Sequence, residues 1–486
     1  MLFGHNKFKI NLRICSWLMM LKLSCAVLGS DGFVAGPLFS QFSLTLDQGH
    51  RTEAVGPFFY DQRKDSEKTW AIPPLFSLDS DPAVETKEYD VLYPVLTYER
   101  FGTEYRWQLG QLLSFAGGED SGDFPVKRFT LFPLYFQQRS PDKNENYTAV
   151  APCYGHLQHR LFRDDIFFVM FPIYSETRKR DVVTENYFYP LFDVCHGNGM
   201  HGWQFWPLVG AEHKAVTTQT NGFGETETVA GYDKFFALWP IHFHQNTGMG
   251  TDDPAKFRAD LPFYATVRSP QRDSTSVLWP FFTWIDDRGD KYREWEGPYP
   301  FVVVARGAGK TVTRFWPLFG RAHNDTLESD YYLWPLYRYD RLHSAPLDYW
   351  RTHVLFYLFA NVTEKNMDTG TRRRQVALWP LFDYHRDFNG SKRLQILAPL
   401  EPVLPNNRSV ERNWSPLWSL WRAESNPQSG AVSRSLLWNF YRQDRSPGVK
   451  NVSFVFGLFQ YQSNREGKCV RLFYIPVVKT QSAIHQ

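Results

Sequence analysis

The chain has 486 residues, of which 43% are hydrophobic and 17% aromatic, so it carries ample apolar material for a large packed or membrane-facing surface. Its 54 Lys and Arg side chains nearly balance its 51 Asp and Glu side chains, and the net charge is only +3. This balance argues against the one-sided basic surface of a nucleic-acid-binding protein. The five cysteines do not predict a disulfide scaffold, because they are few and the three outside the N-terminal leader lie far apart in the sequence.

The first 30 residues have the pattern of an export signal. Basic residues between positions 7 and 13 precede an apolar run over 14–29, and small residues follow at a suitable cleavage point. We therefore predict a leader over 1–30 and an exported mature chain over 31–486. One alternative is a lipid anchor on Cys25, although Lys22 stands where a lipoprotein signal usually has an aliphatic residue. The other is an uncleaved leader or a wrong start site.

The mature chain is dominated by one recurring phrase, in which an aromatic residue and Pro are followed by an aliphatic and another aromatic residue, as in LWPLF. Successive copies are mostly 17 to 23 residues apart, and no linker divides them. Such a period indicates one continuous array, so we predict a single β-repeat array over 31–486. The residues that mark the repeat are Pro133, Pro172, Pro190, Trp206, Pro207, Trp239, Pro240, Trp279, Pro280, Trp316, Pro317, Trp334, Pro335, Trp379 and Pro380.

The phrase has the periodicity of a strand. Apolar residues recur two positions before and two positions after the Pro, and a helix is excluded because Pro would break each one. Turn residues such as Asn389-Gly390 separate the copies. We therefore predict an all-β fold, a long antiparallel meander of roughly 20 strands, each of about ten to fourteen residues and centred on the phrase. A β-solenoid with one coil per repeat is the alternative.

A Pro at the centre of a strand poses a problem, because its nitrogen has no hydrogen to donate to the ladder. Each one forgoes a hydrogen bond worth about 0.5–1.5 kcal/mol. We therefore predict that the ladder is already interrupted along the row of Pro residues, at a bend or bulge where each strand changes direction or passes into another sheet.

A meander of this length cannot stay flat and open, because twist curls it and unpaired edges promote aggregation. The leader, the strand-turn repeat of about twenty residues, the abundant aromatic residues and the absence of a long apolar helix resemble bacterial outer-membrane β-barrels in overall pattern. The resemblance implies a closed barrel. The Trp and Leu that flank each Pro would face the lumen, so a plugged or packed barrel, a soluble β-repeat protein and packed β-sheets are the alternatives.

The sequence offers a candidate for a metal site. Cys195, His196 and His201 lie in a Gly-rich stretch, and Cys and His are ligands that zinc prefers. The competing interpretation is an ordinary Gly-rich turn after a strand. No catalytic motif and no cofactor-binding motif is evident, so we expect a protein that is not an enzyme and needs no cofactor.

The pattern favours a non-enzymatic outer-membrane-type β-barrel with a pore, transport or envelope-structural role. Membrane lipid is then the expected partner, and nucleic acid is not. The alternative is a secreted or surface-tethered all-β repeat protein that binds a protein partner or a glycan, since sugar rings stack on exposed aromatic side chains. An enzyme whose site is assembled from turns is the third interpretation.

Overall fold

The computed structural model describes residues 34–119, 125–220, 226–465 and 467–481. The predicted leader over 1–30 and its alternative lipid-anchor residue Cys25 lie outside these ranges. The described chain is almost entirely β-structure, with 46 strands, two short α-helices and three short 3-10 turns at Gly36–Leu38, Gly56–Phe58 and Lys143–Glu145. The all-β prediction is confirmed.

The strands are short, and most have six residues. The first half of the chain contains β1 Val34–Ala35, β2 Phe39–Ser43, β3 Gly49–Ala54, β4 Phe59–Lys64, β5 Glu67–Ile72, β6 Phe76–Asp81, β7 Thr86–Val91, β8 Leu96–Phe101, β9 Glu104–Leu109, β10 Leu113–Glu119, β11 Pro125–Leu131, β12 Tyr135–Arg139, β13 Tyr147–Val150, β14 Tyr154–Arg160, β15 Arg163–Val169, β16 Tyr174–Lys179, β17 Val182–Tyr187, β18 Phe192–Gly197, β19 Met200–Phe205, β20 Val209–Lys214, β21 Thr217–Thr220, β22 Thr226–Val229 and β23 Gly231–Ala237.

The second half contains the remaining strands and both α-helices. They are β24 His242–Met249, β25 Ala255–Asp260, β26 Tyr264–Arg268, β27 Arg272–Val277, β28 Phe282–Asp287, β29 Tyr292–Glu296, β30 Val302–Gly307, β31 Lys310–Phe315, β32 Phe319–Asn324, β33 Leu327–Tyr332, β34 Tyr337–Ser344, β35 Leu347–Val354, β36 Phe359–Asn366, β37 Arg372–Leu378, β38 Phe382–Arg386, β39 Lys392–Ile396, α1 Arg408–Asn413, α2 Ser415–Trp418, β40 Trp421–Asn426, β41 Ala431–Leu436, β42 Tyr441–Ser446, β43 Val449–Phe454, β44 Phe459–Ser463, β45 Gly467–Leu472 and β46 Ile475–Gln481.

The strands form one meander. In the main sheet of 44 strands, each strand pairs antiparallel with the next along the chain, as β27 does with β28 and β28 with β29. The hairpin β21–β22 forms a separate two-stranded sheet, and β20 therefore pairs directly with β23. The predicted antiparallel meander is confirmed, and the parallel stacking of a solenoid is not present in the described part of the chain. Within the described ranges, no ladder joins β1 to β46.

The recurring phrase is a turn and not the centre of a strand, so the predicted number of strands was wrong. Residues 278–281 reverse the chain between β27 and β28, with the N–H of Phe281 donating to the carbonyl of Leu278 at 2.9 Å. The Trp279–Pro280 peptide bond is cis, as are the other Trp-Pro bonds of the phrase. Each repeat is thus a hairpin of two short strands. The apolar pattern runs on through the turn, which made two strands resemble one.

The Pro residues lie where the ladder is interrupted, as the sequence predicted, but the interruption is a chain reversal. The turns also bond to one another. The N–H of Leu278 donates to the carbonyl of Phe263 at 2.8 Å, and the N–H of Tyr299 donates to that of Phe281 at 2.8 Å. The hydrogen bonds from one turn to the next use other residues of the turn. Pro280, which has no N–H, therefore removes none of them.

These turns form a continuous apolar edge, which we call the apolar rim. Most of its side chains are large, apolar and exposed: Leu278, Trp279 and Phe281 keep 49%, 45% and 49% of their surface accessible. The rings contact one another along the edge, as Trp316 and Trp334 do with centroids 6.0 Å apart. The rim comprises residues 55–58, 73–75, 92–95, 110–112, 132–134, 151–153, 170–173, 188–191, 206–208, 238–241, 261–263, 278–281, 297–301, 316–318, 333–336, 355–358, 379–381, 437–440, 455–458 and 473–474.

The opposite edge is mainly polar. Its turns use the residues expected of tight hairpins, and Gly390 of the predicted Asn389-Gly390 turn has a φ of 84°. Arg side chains close several of them. The guanidinium of Arg306 donates to the carbonyls of Ala305 and Val312 at 2.7 and 2.6 Å, which holds the end of β30 to β31.

The two faces of the sheet differ in side-chain size. One face carries a cross-strand ladder of aromatic rings, for example Tyr98 and Trp107 with centroids 4.5 Å apart. The other face carries many small and polar side chains, such as the buried Ser276 and Thr283, whose hydroxyls lie 2.9 Å apart, and also two buried hydrophobic clusters with rings such as Phe168 and Tyr292. We call these the outer and inner faces. Where rings of the outer face stand opposite small groups of the inner face, the sheet can bend towards the inner face.

Within the described part of the chain, no helix has the length and apolar character needed to cross a membrane.

The meander predicts that whole repeats can be removed if the faces stay in phase. Deletion of residues 281–317 rejoins Trp279-Pro280 to Leu318-Phe319, so that β27 pairs with β32 and the phrase is restored. We expect this variant to keep the far-UV circular dichroism of a β-sheet and a cooperative thermal transition, because contacts are between neighbours.

Deletion of residues 282–319 is the matched control. This deletion removes one residue more than the first. The change of one residue moves every following inner side chain to the outer face. We expect loss of the cooperative transition and insoluble protein. Equal behaviour of the two deletions would contradict the assignment of the phrase as an in-phase turn.

Candidate functional site

The two ends of the sheet meet through their inner faces. The guanidinium of Arg442 on β42 lies 3.3 Å from the ring centre of Phe42 on β2. The amide of Asn439 donates to the carboxylate of Glu53 on β3 at 2.5 Å. These contacts join residues more than 380 positions apart and leave a cavity of about 280 Å³ between the ends. The sheet is therefore curled, with its inner face enclosed at this point.

An inserted segment over 397–420 fills the space between the ends. It replaces a rim turn between β39 and β40, and it begins and ends at the rim, where Leu420 donates its N–H to the carbonyl of Ile396 at 3.0 Å. Asn407 caps α1 by accepting a hydrogen bond from the N–H of Val410 at 3.0 Å. Val410 is only 1% exposed and Asn413 is fully buried, so the segment packs against the inner face.

Arg412 on α1 is the centre of the contact with the N-terminal strands. Its guanidinium lies within 3.2 Å of carboxylate oxygens of Asp79, Glu88 and Asp90, on β6 and β7. Three carboxylates around one guanidinium strongly favour its charged form, so the pKa of Arg412 is raised despite the opposing effect of burial. The cluster is a buried ion-pair network in which removal of the cation would leave unpaired acids.

Neutral groups reinforce this cluster. Asn413 donates to Asp90 at 2.9 Å, and the hydroxyl of Tyr60 on β4 donates to the carbonyl of Arg412 at 3.0 Å. On the other side of the cluster, Asn407 donates to the hydroxyl of Tyr93 in the rim at 3.0 Å. The inserted segment is therefore fixed to four different elements of the N-terminal sheet.

A second group of charges ties the segment to the C-terminal strands. Arg393 on β39 lies 2.7 Å from Glu411. The buried carboxylate of Glu401 accepts hydrogen bonds from Gln395 at 2.6 Å and from Ser415 at 2.5 Å. The segment thus connects both ends of the sheet, and we call it, with its two charge clusters, the clasp.

The pKa values of the cavity carboxyls differ in direction. Desolvation acts against ionisation of Glu411, but the charge and hydrogen bond of Arg393 hold its pKa below the ordinary value. Arg422 does the same for the more buried Glu424. Desolvation and the nearby Asp79 raise the pKa of Glu67 instead. Charges of both signs line this cavity, which supports a fastening role rather than a single-sign ligand pocket.

Two of the three metal candidates from the sequence come together, and the third lies on the opposite face. Cys195 is buried on the inner face of β18, whereas its neighbour His196 points to the outer face because side chains alternate along a strand. His201 on β19 is the direct cross-strand neighbour of His196. In the residues that the structure covers, no group of three His, Cys, Asp or Glu side chains is placed to hold a metal ion.

The repeat-marking Trp and Pro residues named from the sequence all lie in the apolar rim. The clasp was not predicted from the sequence, because the whole of 31–486 was assigned to one uninterrupted repeat array. Two signals could have revealed it: a run of closely spaced Pro residues over 399–405, and Asn407 placed as a helix cap before α1.

Comparison with protein-family models and with curated protein sequences finds no match to this chain.

The clasp predicts a large stability loss when Arg412 is replaced. Arg412→Met leaves Asp79, Glu88 and Asp90 without their shared cation, and we expect the free energy of unfolding to fall by about 3–5 kcal/mol. Urea denaturation followed by Trp fluorescence measures this change. Arg408→Met, at an exposed position on the same helix, is the matched control and should change stability by less than about 0.5 kcal/mol. Equal losses in both variants would contradict the clasp.

The carboxyl pKa directions predict acid sensitivity of the clasp. A carboxyl with a folded-state pKa below its unfolded value stabilises the fold above the unfolded value and loses this contribution as pH falls. We expect stability to decrease from about pH 5 downwards, and Glu411→Gln to flatten the decrease. Glu67→Gln should steepen it, because the raised pKa of Glu67 contributes with the opposite sign. Urea midpoints measured from pH 7 to pH 3 test both variants. If the curves of both variants run parallel to that of the unmodified protein, the assigned pKa directions of Glu411 and Glu67 are contradicted.

Proposed function

We propose that the protein is a non-enzymatic, exported envelope protein that binds a lipid membrane through its apolar rim. The observation that carries the proposal is the continuous row of exposed Trp, Leu and Phe side chains along one edge of the sheet. Monomeric soluble proteins rarely expose apolar patches of more than a few hundred Å², and larger patches mark protein or membrane contacts. A rim of about twenty apolar turns exceeds this size.

The dimensions favour insertion of one edge. Strands of six residues are about 20 Å long, whereas a membrane-spanning strand needs about 9–11 residues. The rim together with the first three residues of each strand, counted from the rim, spans about 15 Å. This length is half the thickness of the hydrocarbon core. These lengths support an envelope-structural role in which the rim enters one leaflet.

The closed outer-membrane barrel with a pore or transport role is the second form of the proposal. The polar inner face would line its lumen, and the inserted segment over 397–420 would act as a plug. The opposed ends of the sheet support closure. Ion conductance across a planar bilayer distinguishes this form from edge insertion, which gives none.

The alternative function is glycan binding by a surface-tethered protein. It is favoured by the exposed aromatic ladder of the outer face, where Trp107 and Trp284 offer flat apolar surfaces on which sugar rings stack. Binding to a soluble polysaccharide without any binding to vesicles would favour this alternative.

The membrane proposal predicts that polar substitutions in the rim abolish vesicle binding. The variant carrying Trp279→Ser, Phe281→Ser, Trp334→Ser and Leu336→Ser should lose more than about 100-fold in partition to phosphatidylcholine vesicles, since each large apolar side chain contributes about 1.5 kcal/mol or more. Flotation at increasing lipid concentration measures the partition.

The control carries Phe162→Ser and Met367→Ser at exposed positions of the opposite edge. We expect it to bind vesicles as the unmodified protein does. Vesicle binding that survives the rim substitutions but not the control substitutions would overturn the proposal.

A further inference from the structure

We propose that the outer face binds the anionic headgroups of a lipid surface through two rows of basic side chains; this inference rests on the membrane contact proposed above. In both rows, positively charged residues follow one another from strand to strand at one height above the rim. The strand register defines each row.

The first row crosses β4 to β12. Cross-strand pairing places its members side by side on the outer face, and six of the nine are Lys or Arg while none is acidic. The row consists of Arg63, Lys68, Ser80, Lys87, Arg100, Tyr105, Gly117, Lys127 and Arg139.

The second row crosses β37 to β45 at the other end of the sheet. It has the same composition, with six basic residues of nine and no acid. Its members are Arg374, Arg386, Lys392, Ser425, Val432, Arg445, Lys450, Ser463 and Lys468.

The basic residues of the rows lack acidic partners among the residues that the structure describes. None of the twelve forms an ion pair with a described residue, although direct cross-strand neighbours such as Lys87 and Arg100 carry the same charge. Like charges directly opposite each other destabilise a sheet. Elsewhere in the sheet many basic groups are paired with acids, as Lys310 is with Glu294 at 2.5 Å. The rows therefore carry positive charge that no described acidic side chain neutralises, although Arg139, Arg100 and Arg374 donate hydrogen bonds to neutral groups, and an anionic surface is the complementary partner.

The height of the rows fits a lipid leaflet. Lys127 lies four residues from Leu131, the last residue before the rim, with Phe129 between them on the same face. Four residues of a strand rise about 14 Å, so a rim near the bilayer midplane would place Lys127 just beyond the hydrocarbon, at about 15–20 Å. All twelve basic residues have this spacing.

The aromatic ladder lies between the rim and the basic rows. Phe76, Tyr89 and Tyr98 form part of this ladder, with successive ring centroids 6.2 and 5.2 Å apart. Aromatic rings accumulate at the interface between hydrocarbon and headgroups. The order of apolar edge, aromatic rings and basic row therefore matches the order of hydrocarbon, interface and phosphate in a leaflet. This order favours a lipid over nucleic acid, which would leave the apolar rim unused.

The experiment compares the full-length protein on two kinds of vesicle, phosphatidylcholine alone and phosphatidylcholine with 30% phosphatidylglycerol. The row variant carries Lys68→Gln, Lys87→Gln and Lys127→Gln. The matched control carries Lys143→Gln, Lys179→Gln and Lys291→Gln, at exposed positions outside the rows. Each basic residue near an anionic surface is worth about fivefold in affinity.

We expect the unmodified protein to bind the anionic vesicles at least tenfold more tightly than the neutral ones, and this preference to vanish in 1 M NaCl, where charges are screened. The row variant should lose most of the preference and keep its affinity for neutral vesicles, whereas the control should behave as the unmodified protein.

Three outcomes would overturn the inference. The first is equal affinity for both vesicles. The second is an undiminished preference in the row variant. The third is duplex DNA that binds the rows and displaces the anionic vesicles at physiological salt. Failure of the unmodified protein to bind neutral vesicles would instead overturn the membrane contact itself, so the two proposals fail separately.

Discussion

The structure depends on a hydrogen-bond ladder that continues from one turn of the rim to the next. Most described strands contact mainly the strands next to them along the chain, so each strand is held mainly by its two neighbours. A turn that bonded only internally would leave a row of free polar groups along the rim. Bonds such as that from Leu333 to the carbonyl of Leu318, at 2.6 Å, satisfy these groups and leave only side chains exposed. Apolar residues can therefore occupy an edge that would otherwise be polar.

The difference in side-chain size between the faces connects this edge to the clasp. Small residues on the inner face make room for larger ones beside them: a Cβ on Gly320 would lie 2.2 Å from the ring of Tyr331, its cross-strand partner on the same face. This close packing lets the sheet bend inwards, and the bend brings its two ends together. Arg412 of the clasp then fixes the two ends to each other. Curvature and clasp thus both depend on where small and large side chains are placed.

The sequence revealed the fold class, the antiparallel order and the interruption of the ladder at the Pro residues. The sequence pattern predicted too few strands, because Val277 before the phrase and Phe282 after it are both apolar and are also cross-strand partners. Residues that face each other across a turn look like residues of one strand when only their alternation is read. The clasp was not predictable from periodicity, since the partners of Arg412 are more than 320 residues away and only the curvature brings them close.

This separation along the chain bears on the order in which the fold can be completed. Asp79 and Asp90 emerge early, and their cation follows only after most of the repeats have been made. Until then these carboxylates have no cation of the inserted segment to pair with. The contact that joins the two ends of the sheet through Arg412 can therefore form only after nearly all of the strands have been made.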